Sequence, residues 1–150
     1  MKKISLLLAI SICFISICFI INSCSGNRND IDTIVSNRWQ ECSETNNCII
    51  DFANAMHFEW DTMCFYSAGN SLEDINKDLG FELKEWTDSG DRVIFLYKGK
   101  IVYQKEWTLR ADEPLDGIVF ETDLKKFKIN KANAKFRITK EENAYYLKKL

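Results

Sequence analysis

The sequence predicts an α+β fold: a single domain with a mainly antiparallel sheet of about six strands and one or two helices packed on one face. Three observations predict it. Short runs with period-two alternation or continuous β-branched and apolar character recur along the chain. Only two segments carry clear helical spacing. The strands follow one another without the strand–helix–strand alternation of a parallel sheet. The 150 residues are the length of one domain, 46% are hydrophobic and 13% aromatic, and this apolar content offsets the entropy of ordering. Six glycines and one proline exclude collagen-like or proline-rich sequence. A pI near 5.5 gives no support for a nucleic-acid partner.

The globular part is predicted over residues 31–150. Ile31, Ile34, Val35, Arg38, Trp39 and Cys42 recur three and four apart, which predicts a helix with Asp30 or Asp32 placed to cap it. The polar loop up to Asn47 ends that helix, and residues 48–52 read as a short strand. Residues 58–66 read as a stronger one. Alternation puts Phe58, Trp60, Thr62, Cys64 and Tyr66 on one face, with Glu59, Asp61, Met63 and Phe65 on the other. Gly69-Asn70-Ser71 is a turn. Ser71-Leu72-Glu73-Asp74 has the form of a capped helix start, Leu72, Ile75 and Leu79 make the apolar stripe, and Gly80 stops it. Residues 93–97 are a core strand, Lys98-Gly99 a two-residue turn, and residues 101–107 the returning antiparallel strand. Residues 111–117, with Pro114, form a surface loop. Residues 118–121, 127–129 and 135–138 are three further strands. Residues 141–150 read as a terminal helical turn around Tyr145, Tyr146 and Leu147.

The first 23 residues read as an export signal rather than as part of the fold. Met1-Lys2-Lys3 is a basic start, and no charge follows until Arg28. At 18 residues the apolar run from Ile4 to Ile21 is long for a signal, and an uncleaved membrane anchor is the alternative. Ile21-Asn22-Ser23-Cys24 resembles the lipobox of bacterial lipoproteins, although Asn22 stands where a small residue is usual. The resemblance implies cleavage before Cys24 and diacylglycerol on its sulfur. It also implies a membrane-anchored protein of the bacterial cell envelope, at the outer membrane or facing the periplasm. Residues 24–30 are polar and suit a flexible tether. Loss of Lys2 and Lys3 takes the net charge from −2 to −4.

Export sets the cysteine chemistry. With Cys13 and Cys18 in the signal and Cys24 under lipid, Cys42, Cys48 and Cys64 remain. An oxidising compartment permits disulfides. The polar segment between Cys42 and Cys48 lets the chain fold back, so these two are expected to pair. Cys64, inside Met63-Cys64-Phe65-Tyr66, is expected to be a buried free thiol. One histidine and no C-x-x-C pair argue against a metal site. No cofactor and no catalytic residue is expected.

Phe58-Glu59-Trp60-Asp61, followed by Met63 and Phe65, the capped helix and the Phe95–Val102 hairpin, resembles a group of small exported bacterial proteins of unknown function that share an F-x-W-D strand. That resemblance implies a compact α+β envelope domain and no particular activity. His57, Glu59 and Asp61 are the candidate acid–base groups, with Glu59 and Asp61 on one strand face at a spacing that suits a glycosidase pair. The competing reading is a solvated strand face, with Asp61 holding a structural hydrogen bond. Trp60, Trp86 and Trp107, with Tyr66, Tyr97 and Tyr103, are candidates for a sugar platform. For Trp60 the core reading is preferred, while Trp86 is the expected exposed one. Residues 123–150 hold nine Lys and Arg against three acids, so the rest of the exported chain is acidic. Either the two parts neutralise one another across the fold, or the basic end meets an anionic partner. The expected function is a lipid-anchored, non-enzymatic binding or interaction module, such as an envelope-complex component, an inhibitor or an immunity-type factor, with a protein or glycan partner. The alternative is a small carbohydrate-active hydrolase or glycan-binding protein.

Overall fold

The structure, a computed structural model, describes residues 30–42, 47–84, 86–87, 89–108 and 115–150. The signal, Cys24, nearly all of the tether and most of the Pro114 loop lie outside these residues. The described part is an α+β domain. Its elements are α1 (Ile31–Glu41), β1 (Cys48–Asp51), α2 (Phe52–Ala55), β2 (Thr62–Tyr66), α3 (Leu72–Leu79), β3 (Gly90–Tyr97), β4 (Lys100–Thr108), β5 (Asp116–Glu121), β6 (Lys126–Asn130), a 3-10 turn (Lys131–Asn133), β7 (Lys135–Glu141) and β8 (Asn143–Lys149).

The one sheet of about six strands is in fact two sheets of four, in the orders β1-β7-β8-β5 and β4-β3-β2-β6. Every pairing is antiparallel except β5 with β8. The sheets face each other across the main core. Ile50, Phe136, Ile138, Leu147, Ile118 and Phe120 from the first meet Met63, Phe65, Val93, Phe95, Trp107 and Ile129 from the second. Aromatic edges carry much of this contact, with Phe65 4.9 Å from Phe120 and Phe52 6.2 Å from Phe95, centroid to centroid.

The helices do not share one face. Ser71 caps α3 by accepting from the Asp74 N–H at 3.1 Å, and Gly80 ends it. Its Ile75 and Leu79 cover Cys64, Tyr66, Ile94 and Leu96 on the outer face of the second sheet. By contrast, α1 sends Ile31 and Val35 into the main core. Asp30 sits at the cap position of α1 but makes no capping bond. The orphan N–H of Ile31 donates instead to the Tyr103 hydroxyl at 3.1 Å, and that hydroxyl donates to Asp30 at 3.2 Å. This cross-strand bond ties the start of α1 to β4.

Two segments depart from the local expectation. Residues 141–150 do not form a helical turn, because residues 143–149 are strand β8 between β7 and β5. Its backbone is satisfied on both sides, which outweighs weak helical spacing. The strand expected over residues 58–66 begins only at Thr62. The chain bends at Asp61, so Trp60 joins Met63 and Phe65 in the main core, while Cys64 and Tyr66 face α3. The β3–β4 hairpin is as expected. Lys98 and Gly99 turn it at φ 52° and 73°, a left-handed pair in which glycine bears no side-chain clash.

Candidate binding cleft

Asp61 is held as a structural group. Its carboxylate accepts from the Lys98 N–H at 2.6 Å and from the Thr62 hydroxyl at 2.8 Å. Its backbone donates to Leu96 O and accepts from the Lys131 N–H. These bonds pin the start of β2 to the β3–β4 turn and to the exit of β6. The Lys98 N–H, and then the Thr62 hydroxyl, hold its pKa below the usual carboxylate value. Glu59 is exposed and outside any strand, so the paired-carboxylate arrangement on one strand face is not formed. His57 is exposed at the rim of a depression of about 510 Å³ that Arg38, Asp51 and Lys135 also line, and neither Glu59 nor Asp61 lines it.

The aromatic candidates are divided among different places. Trp60 is 2% exposed, edge-on to Phe95 at 4.9 Å, with the Lys131 ammonium 5.6 Å from its ring. Tyr66 is buried beneath α3, and its hydroxyl donates to Asp78 at 2.7 Å. Trp86 is half-buried, packed on the α3 cluster with the Arg92 guanidinium 6.0 Å from its ring. It is therefore not the exposed tryptophan expected. Cys42 and Cys48 stand at bonding distance, with Cα atoms 5.5 Å apart, and join the end of α1 to β1. Cys64 is free and buried, and burial pushes its thiol up to about 11.

A polar cleft lies elsewhere, where α1 meets β4, β5 and β8. It measures about 760 Å³, and Asp32, Lys105, Trp107, Asp116, Asn143 and Tyr145 are among its lining residues. Asp32 accepts from the Trp107 indole N–H at 2.8 Å and pairs with Lys105 at 2.9 Å. Lys105 also reaches Asp30 at 3.3 Å. Burial pulls the Lys105 pKa down, but the hydrogen bonds and charges of Asp32 and Asp30 outweigh it and hold the ammonium above the usual lysine value. Ser36 and Tyr145 share a hydroxyl hydrogen bond of 3.0 Å across the cleft. Gly117 is required in the wall. Its φ is +83°, and an added Cβ would lie 2.7 Å from the Trp107 ring.

This constellation is not local in sequence. Asp32 and Trp107 are 75 positions apart. Tyr145 faces the cleft only because β8 is a strand. Of the cleft residues, the sequence points to Asp32 as a helix cap, to Tyr145 as part of a terminal helical turn, and to Trp107 as part of an aromatic set that the fold does not assemble. Among the described residues no group of three or more His, Cys, Asp and Glu is arranged to hold a metal, and no helix is long and apolar enough to cross a membrane.

The basic C-terminal segment is distributed by the topology. Lys135 lies 3.7 Å from Asp51, Lys126 lies 3.8 Å from Asp78, and Lys148 stands opposite Glu121 in the β5–β8 register. Two of the segment's cations thus meet carboxylates directly, while Lys148 stands between Glu121 and Arg137. In comparisons with family models, curated proteins and solved structures, nothing matches this chain.

Proposed function

We propose that the protein is a lipid-anchored envelope protein that works by binding rather than by turnover, through the cleft between α1, β4, β5 and β8. The observation that carries this reading is the cleft's pre-organisation. Asp32, Lys105, Trp107, Ser36 and Tyr145 are already fixed by one another, so a ligand meets an ordered polar surface and little further ordering opposes binding. The three acid–base candidates, His57, Glu59 and Asp61, do not line it. The lipobox resemblance at Ile21–Cys24 supports the anchor. Seven residues span about 25 Å at most when extended, so lipid on Cys24 would keep α1 and the cleft close to the membrane surface.

Two experiments test the two halves of this reading. Labelling with a fatty-acid analogue marks the wild-type protein and is lost in Cys24→Ala. Label that survives this change overturns the anchor. A photo-crosslinking residue at position 33, on the cleft wall, gives an adduct in intact cells, whereas one at position 57 does not. Equal yields, or none from position 33, overturn the cleft as the binding site.

A further inference from the structure

We infer that the ligand of this cleft is a neutral saccharide. The inference rests on the binding-module reading and names its ligand class. The volume of about 760 Å³ is within the range of roughly 300–1,000 Å³ for small-molecule sites. Its walls combine three kinds of group. Thr33, Asn37, Thr108 and Asn143 bring hydroxyls and side-chain amides to the lining. An amide presents a donor and an acceptor side by side, and a hydroxyl is both at once, which matches the adjacent hydroxyls of a sugar ring. Leu115, Tyr145 and Trp107 add apolar surface to the lining, and Leu115, 42% exposed, presents it to solvent for the C–H face of the ring.

Charge decides between classes of glycan. The lining holds the carboxylates of Asp32, Glu106 and Asp116 against the one ammonium of Lys105. Among the described residues Glu106 pairs with Arg92 and Asp32 with Lys105, which leaves the Asp116 carboxylate, and this accepts from the Gly117 N–H. A uronic, sulfated or phosphorylated glycan meets more carboxylate than ammonium among the described lining residues. A neutral sugar meets the hydroxyls and side-chain amides of Thr33, Asn37, Thr108 and Asn143 without that charge repulsion. The proximity of the tether root allows two sources of the same chemistry, a free oligosaccharide or the headgroup of a glycolipid.

The test uses the full chain in a detergent without a sugar headgroup. Titration calorimetry and tryptophan fluorescence follow the addition of cello-, malto-, chito- and manno-hexaose, with oligogalacturonate as the anionic comparison. Liposomes carrying a neutral glycolipid distinguish the membrane source. At least one neutral sugar is expected to bind, in free or liposome form, and oligogalacturonate is not. Asn37→Ala combined with Asn143→Ala, on opposite walls of the cleft, is expected to weaken binding about tenfold or more at unchanged Tm. Absence of binding by every neutral sugar up to about 10 mM, in both forms, overturns the inference. Preferred binding of oligogalacturonate, or full affinity in the double variant, also overturns it. If the position 33 adduct forms while the sugars fail, only the saccharide inference falls. If neither is seen, the binding-module reading falls with it.

Discussion

Trp60 and Asp61 are neighbours with opposite duties, and the bend between them explains both. The Trp60 side chain is buried among Phe95, Met63 and Phe65, and its indole N–H has no hydrogen-bond partner among the described residues. Its contribution is therefore apolar contact. Trp60→Ala is expected to cost about 3–5 kcal/mol, seen as a lower denaturant midpoint at unchanged slope. A variant as stable as wild type would return Trp60 to the surface. Asp61 acts through its charge and its acceptors. Its folded pKa lies below its unfolded one, so its contribution is present above about pH 4 and is lost as the pH falls through the depressed folded value. Asp61→Asn is thus expected to be less stable than wild type at neutral pH, and the gap is expected to narrow in acid. A gap that stays constant from pH 7 to pH 2 would show that the charge contributes nothing.

At the scale of elements, the bond between Cys42 and Cys48 holds the last turn of α1 against the first residue of β1. The Arg38 guanidinium reinforces this junction by donating to Ile49 O at 2.8 Å. The closed loop is short, so the constraint on the unfolded chain is modest. Cys42→Ala with Cys48→Ala is expected to lose about 2–3 kcal/mol, measured as a fall in Tm that a reductant reproduces in the wild type and leaves unchanged in the variant. A wild-type Tm that a reductant leaves unchanged would show that the two sulfurs are not bonded. Elements whose signals are contained within a few neighbouring residues were legible in advance. Ser71 and Gly80 bracket α3, and Lys98-Gly99 turns the hairpin, because capping and φ > 0 are properties of the residues themselves. Where a neighbour decides, the local pattern misled. The face of β2 switches at Asp61 because Lys98 and Lys131 hold the chain there, and no alternation rule contains them.

At the scale of the whole molecule, the C-terminal segment makes the clearest distinction between local spacing and tertiary placement. Leu147 is fully buried, and β8 joins β7 to β5. Leu147→Ala is expected to cost about 2–5 kcal/mol, whereas a frayed terminal helical turn would lose far less. A change below about 0.5 kcal/mol in denaturant unfolding would remove β8 from the core. The same strand decides the cleft. It carries Asn143 and Tyr145 to α1, and β4 brings Lys105 to Asp32, together with Trp107 from 75 positions away. The α+β class, the capped helix, the hairpin and the cysteine pair were legible in the residues, because each follows from short-range periodicity, capping or chain closure. Tertiary pairing alone divides the strands into two sheets, sets Lys126 and Lys135 beside Asp78 and Asp51, and opens a polar cleft between α1, β4, β5 and β8. These depend on which distant strands pair, and pairing is selected by the burial of the whole core rather than by any single segment.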